Sequence, residues 1–126
     1  MARSKIHVSS LLTIAVREDS EAVIATWDGK SIEREPGKFI TPLLLRLIKR
    51  CSENDKRLIL DFRGIAFMNS STITPIIKIL ERAKRGSSRI RVIYDSSSKW
   101  QELIFSALTI FSTKDGRVEL QGAPLP

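Results

Sequence analysis

Four hydroxyl side chains crowd into the five positions 70–74, as Ser70, Ser71, Thr72 and Thr74, directly after Asn69 and a short way beyond the acidic Asp61. Such hydroxyls can attack a carbonyl or accept a phosphoryl group. As a hydrolytic nucleophile, Ser70 would need a general base within hydrogen-bond reach, and the usual base is histidine. The only histidine is His7, in a polar stretch with Arg3, Ser4, Lys5, Ser9 and Ser10. No Gly-x-Ser-x-Gly elbow surrounds Ser70, no Gly-x-x-x-x-Gly-Lys-Ser/Thr loop occurs, and no His/Cys cluster has metal-ligand spacing. Asp61, a lone carboxylate without a convergent partner, makes a poor metal site. There remains a hydroxyl cluster where an apolar helical pattern begins. A helix N-terminus offers unpaired N–H groups and the positive end of the macrodipole, both of which favour an anion such as a phosphate. Ser and Thr are also preferred helix caps, so plain capping is the competing reading of the same residues.

The elements that must position this cluster follow from periodicity. Residues 58–62 are apolar and read as a strand ending at Asp61 and Phe62, and residues 63–68 read as a short connection. Ile73, Ile76, Ile77, Leu80 and Ala83 then share one face of a helix that ends at Gly86. Proline costs least in a first helical turn, so Pro75 predicts a start near Ser71 or Thr72, with Ser70 at the lip. Upstream, 11–16 and 22–27 read as a strand pair closed by Asp28-Gly29. Leu43, Leu44, Leu47, Ile48 and Cys51 recur at helical spacing, with the helix starting at Thr41-Pro42 or as early as Pro36. A strand over 89–94, a helical stripe of Trp100, Leu103, Ile104, Ala107, Leu108 and Phe111, and a strand over 117–120 complete the chain. The segments 1–10 and 122–126 are expected to be loose tails. The order β-β-α-β-α-β-α-β predicts one α/β domain over 1–126, with a mostly parallel mixed sheet built by right-handed crossovers.

The run 58–73 resembles the segment around the phosphorylated serine of STAS domains, the fold of anti-sigma factor antagonists. There a strand ending in Asp leads through x-Val-x-Phe-Met to Asp-Ser-Ser/Thr-Gly-Leu-Gly at a helix start. Asp61 matches the strand-end Asp, Ile65 and Phe67-Met68 match the apolar positions, Ser70 matches the phosphoacceptor and Ser71 its neighbour. The chain departs from the pattern at Asn69, where the family usually has Asp, and at Thr72 and Thr74, where it usually has Gly. A narrower group of STAS-like proteins, the SiaC-like biofilm regulators, is similar in having Asn at this position. Gly29-Lys30-Ser31-Ile32 and residues 36–45 also resemble that group. The resemblance implies a non-enzymatic partner switch without cofactor or metal. An unphosphorylated chain binds a downstream regulatory protein, an ATP-using serine/threonine kinase of the anti-sigma-factor kind phosphorylates Ser70, and a metal-dependent serine/threonine phosphatase reverses it. Ser71 and Thr72 are substitute acceptors. Asn69, Ser71, Thr72, Ile73 and Glu33 are the implied partner contacts, with Asp61 capping or orienting the Ser70 loop. A scaffold or ligand-binding module that is never phosphorylated is the alternative.

With 126 residues, 42% hydrophobic and 28% charged, the chain suits a single globular domain rather than two. The lone Cys51 has no disulfide partner and reads as a buried structural thiol, which fits a reducing cytoplasm. No stretch has the pattern of a signal peptide or the length of a membrane span. A net charge of +7 raises the question of nucleic acid, but the surplus is spread evenly, +3 over 1–63 and +4 over 64–126. Stacking aromatics are not interleaved with the basic residues, so a nucleic-acid footprint is not expected and an acidic protein partner is compatible.

Overall fold

Apolar side chains at alternate positions build the sheet, and the computed structural model of the chain describes residues 3–125 of it. The strands are β1 (Arg3–Ser9), β2 (Leu12–Glu18), β3 (Ala22–Ser31), β4 (Arg57–Met68), β5 (Ile90–Asp95) and β6 (Val118–Ala123). The helices are α1 (Gly37–Glu53), α2 (Ser70–Arg85) and α3 (Lys99–Ala107), the last followed by a 3-10 turn, Leu108–Phe111. Strands lie in chain order across one six-stranded sheet. β1, β2 and β3 form an antiparallel meander, and β3 to β6 run parallel. Each crossover steps one strand in the same direction, so right-handed connections bring all three helices to one face.

That face is the core. Val23, Ala25 and Trp27 of β3, Leu58, Leu60 and Phe62 of β4, and Ile90 and Val92 of β5 merge there with Leu43, Leu44 and Leu47 of α1, Ile76 and Leu80 of α2, and Phe105 of α3. Trp27, Phe62 and Phe105 form an aromatic spine with ring centroids 4.6 and 5.0 Å apart. The opposite face is only half covered and mixes Ile24, Ile59 and Ile93 with charges held in pairs, Arg57 and Arg91 on Glu119 and Arg63 on Asp61.

The α/β class and mixed sheet are as expected, with one strand more. Residues 3–9, expected to be loose, form β1, because Ile6 and Val8 alternate with Lys5 and His7 and the segment zips onto β2 without a register break. At the other end β6 continues through Gly122 to Ala123, where Tyr94 and Asp95 of β5 supply the ladder. α1 takes the earlier of its two starts. Pro42 therefore lies inside the helix and forfeits the bond to the carbonyl of Lys38, an exposed residue. The third helix is rotated from the expected stripe. Gln101, Phe105 and Leu108 are buried, whereas Leu103 is 74% exposed.

The largest correction concerns 63–68, which is strand rather than connection. The β3–β4 register shifts twice, between Thr26 and Asp28 and between Gly29 and Lys30. Each shift adds a residue on β4, so the buried Phe62, Ile65 and Met68 fall three apart and lose the period of two that marks a strand. Gly29 holds φ +91°, and a Cβ there would lie 2.0 Å from the Leu11 carbonyl oxygen. At Gly64 a Cβ would overlap the Asp28 carboxylate, 2.2 Å away. β5 pairs β4 only as far as Asp61. Beyond it the buried Gln101 amide bridges the gap, donating to the Phe62 and Ile65 carbonyls at 3.0 and 3.1 Å and accepting from Asp95 N–H at 2.8 Å.

The start of this scaffold is fastened by Glu18, whose carboxylate accepts from Arg50 at 3.1 Å and Lys56 at 2.6 Å, joining β2 to α1 and to the entry of β4. Those two hydrogen bonds hold its pKa down to about 2, against an ordinary 4.5. A depressed carboxyl contributes stability above its unfolded pKa and loses it as pH falls through the folded value. Wild type should therefore exceed Glu18→Gln in denaturant stability above about pH 5, by about 1–2 kcal/mol, since solvent reaching the Arg50 side of the pair screens part of the about 1.4 kcal/mol per pKa unit. The difference should close as pH approaches 2. Parallel urea titrations across that range check it.

Candidate functional site

The site is built where β4 hands over to α2. Asn69 is the N-cap of α2 in extended conformation, φ −77° and ψ 168°, and Ser70 is the first helical residue. The helix thus starts one residue before the earliest position expected. Pro75 is its sixth residue, and the bond it cannot donate would have gone to the carbonyl of exposed Ser71.

Two buried hydroxyls, Ser31 and Thr72, and the partly buried Asn69 lock this junction. Thr72 is fully buried, and its hydroxyl donates to Asn69 Oδ1 at 2.7 Å while its backbone N–H donates to the same oxygen at 3.1 Å. Asn69 Nδ2 donates to the Glu33 carbonyl at 2.8 Å, which identifies Oδ1 as the acceptor atom. Because the Thr72 proton is committed to Asn69, the 2.6 Å contact with Ser31 Oγ must be Ser31 donating to Thr72. Asn69 N–H also donates to the Ser31 carbonyl at 3.0 Å, so the strand ladder runs up to the first turn of the helix. The end of β3, the loop at Glu33 and the start of α2 are one unit.

On this fixed base Ser70 and Ser71 are exposed, and neither hydroxyl makes a hydrogen bond among the described residues. Glu33, Asn69, Ser70 and Ser71 therefore come together at one surface, with Ile73 partly buried beside them. Thr72 does not join them, because its side chain is spent on the Ser31–Asn69 chain with no surface left to offer. Asp61 does not support the site either. β4 continues past it, and it lies on the open face of the sheet, where it takes Arg63 at 3.0 and 2.9 Å. Helix α2 covers the other face. The support expected of Asp61 comes from Ser31 and Thr72, and a polar pair matched across a parallel crossover leaves no signal in sequence spacing.

Two apolar neighbours at the surface carry no signal in the sequence that would mark them as exposed. Phe67 is 49% exposed and Ile32 is 47% exposed. They flank the lock, Phe67 by register opposite Lys30 and Ile32 between Ser31 and Glu33. The doubled bulge turns Phe67 outward while Ile65 and Met68 go in. On the other side of the helix start, Ser71 and Thr74 border an open groove of about 340 Å³ with Arg34, Lys38 and Lys78. Lys38 pairs with Glu35 at 2.7 Å, leaving Arg34 and Lys78 without an anionic partner among the described residues. Among the described residues no cluster of three or more His, Cys, Asp or Glu could hold a metal. His7 lines a separate groove with Leu43 and Arg46, none of whose lining residues belongs to 69–74. Cys51 is buried, and burial raises its thiol pKa to about 11, the behaviour of a structural cysteine.

The strand and helix order is broadly consistent with a STAS-like fold, with serines at a capped helix start. No protein-family model and no curated protein matches the chain. A solved structure does, the crystal structure of the diguanylate cyclase SiaD in complex with its activator SiaC from Pseudomonas aeruginosa. The match has a TM-score of 0.62 at 16% identity and covers 94% of this chain and 99% of the other. At that identity the likeness is one of fold. Among the described residues no helix is long and apolar enough to cross a membrane.

Replacing Asn69 tests the lock. Asn69→Ala removes the cap and an acceptor for Thr72 and should cost about 1–2 kcal/mol in chemical denaturation. Asn69→Asp keeps the cap but sets a carboxylate against the Glu33 carbonyl. It should cost less globally while raising amide exchange in 31–34, measurable by hydrogen exchange.

Proposed function

We propose that this chain is a non-enzymatic partner-switching regulator whose binding surface is gated by phosphorylation of Ser70. The observation that carries the reading is a free, exposed Ser70 hydroxyl on a rigid helix start, three residues beyond the exposed Phe67 of β4 and near Ile32, which is exposed next to Ser31 of the lock. An apolar patch rimmed by polar groups fits a protein partner better than a reacting small molecule. A phosphoryl group on Ser70 adds close to two negative charges and three strongly hydrated acceptors. At the first position of α2 that charge is favourable to the helix, so the fold is kept and the change is confined to the surface. Docking over Phe67 would then have to strip water from a dianion, and a few kcal/mol of lost desolvation is enough to release a partner held at micromolar strength.

The fold likeness to a complex in which SiaC is the activator of SiaD supports a role as a binding protein acting on a signalling partner. The surface for that partner comprises Glu33, Asn69, Ser70, Ser71 and Ile73 together with Phe67 and Ile32. Thr72 contributes only through the lock, and Asp61 lies apart. The kinase would bring ATP, the phosphatase its own metal, and this chain no cofactor. Ser71 is the substitute acceptor, since its groove holds two unpaired cations, Arg34 and Lys78, that would pair with a phosphate.

In pull-downs from the native cells followed by affinity measurement, Ser70→Asp should weaken the recovered partner by at least about tenfold and Phe67→Ala by a similar factor. Phosphopeptide mapping should find the modification within 70–71. Equal binding by wild type, Ser70→Asp and the phosphorylated form would replace the switch with a constitutive scaffold.

A further inference from the structure

Among the described residues β1 is the outer strand of the sheet. One side pairs with β2 in an unbroken register from Arg3 opposite Glu18 to Ser9 opposite Leu12, and the other side meets no strand. In an antiparallel ladder alternate residues turn their N–H and C=O groups away from the partner, so β1 displays a row of unpaired backbone donors and acceptors. Soluble proteins usually blunt such an edge by brevity, proline, a bulge or several charges. β1 has seven residues, no proline and no register shift. Its Ile6 and Val8 are 66% and 62% exposed. By register they lie with Ala15 and Thr13 on the open face of the sheet, whereas Lys5 and His7 lie with Val16 and Ile14 on the helix face.

On the helix face this edge borders a groove of about 420 Å³ between β1 and α1. Val16, Leu43 and Leu47 make its apolar floor, and Lys5, His7, Arg46 and Arg50 stand at its rim. Its one carboxylate, Glu18, is consumed by Arg50 and Lys56. Lys5 and Arg46 are exposed with no anionic partner among the described residues. Partial burial, with Lys5 and Arg46 close by, pushes the His7 imidazole below its ordinary pKa, as an uncompensated positive field should.

We propose that β1 is a docking edge for an acidic, extended segment of a partner protein, which adds to the six-stranded sheet as a further strand. Successive side chains of an added strand point to opposite faces. One set would place carboxylates over Lys5, His7 and Arg46, and the other would cover Ile6 and Val8. Backbone pairing supplies the affinity of such strand addition and the alternating side chains its selectivity. A second copy of this chain is the poorer occupant, because it would set Lys5, His7 and Arg46 near the same cations at a net charge of +7. Nucleic acid is poorer too, since the groove has no Phe, Tyr or Trp on which a base could stack. The edge shares no residue with the Ser70 surface, and the proposal holds whether or not Ser70 is phosphorylated.

The test uses the full chain labelled with nitrogen-15 and the peptide acetyl-Glu-Val-Glu-Thr-Glu-Val-Glu-amide. Its counterpart with lysine for every glutamate and a single-stranded DNA oligonucleotide serve as comparison ligands. The acidic peptide should slow amide exchange in β1 and raise the titration midpoint of His7, the only imidazole signal in the spectrum, because a nearby carboxylate stabilises the imidazolium. The lysine peptide should do neither. The double variant Lys5→Glu, Arg46→Glu should bind the acidic peptide about tenfold or more weakly with an unchanged melting curve, both residues being exposed. The proposal is overturned by an acidic peptide without effect on β1, an equal response to the lysine peptide, or undiminished binding to the double variant. Tighter, steeply salt-dependent binding of the oligonucleotide, or sedimentation as a dimer that Ile6→Lys dissolves, would overturn it equally.

Discussion

The continuation of β3–β4 pairing up to Met68 is the constraint on which the rest of the structure depends. β5 leaves β4 after Asp61, so the further part of β4 is held on one side by β3 alone. Its orphaned carbonyls would be costly in a core, and the buried Gln101 amide satisfies two of them while anchoring α3. The two bulges reset which residues face inward, sending Phe62, Ile65 and Met68 to the core and Phe67 to the surface. The ladder then ends on the bond from Asn69 N–H to the Ser31 carbonyl. The first residue of α2 is thereby fixed relative to the sheet.

The buried polar chain from Ser31 through Thr72 to Asn69 serves the same end. Each of its hydroxyls has its proton assigned, so the junction has one arrangement rather than several. The hydroxyls of Ser70 and Ser71 are left outside it. One short hydroxyl run is divided between a buried structural role and an exposed position, and the division is made by whether a residue faces β3 or solvent.

Electrostatics sorts the surface in a similar way. The chain has 21 Lys and Arg against 14 Asp and Glu, so cations must be left over after pairing. Two acids tie elements together, Glu18 binding Arg50 and Lys56 and Glu119 binding Arg57 and Arg91, while Asp61 holds Arg63 within β4. The cations without such partners among the described residues include Lys5 and Arg46 beside β1 and Arg34 and Lys78 beside Ser71. An even spread of charge along the sequence thus becomes two local positive grooves in space, neither of which is lined by Phe, Tyr or Trp.

Local physics read from the sequence was sufficient for the α/β class, the parallel order of the last four strands, the two long helices and the placing of Ser70 at a helix start. Each rests on period, cap residues and breakers that act within a few positions. Tertiary structure alone decided the strand character of 63–68, whose bulges erase the period of two, and the inward turn of Gln101, which is called for by carbonyls of a strand nearly forty residues earlier. It also decided that Asp61 faces away from Ser70, that Thr72 is buried, and that residues 3–9 find a strand to pair with. The division has one physical cause. Helical period and capping are satisfied by neighbours in the chain, whereas a bulge, an orphaned carbonyl or an edge strand is defined only by what another segment brings beside it.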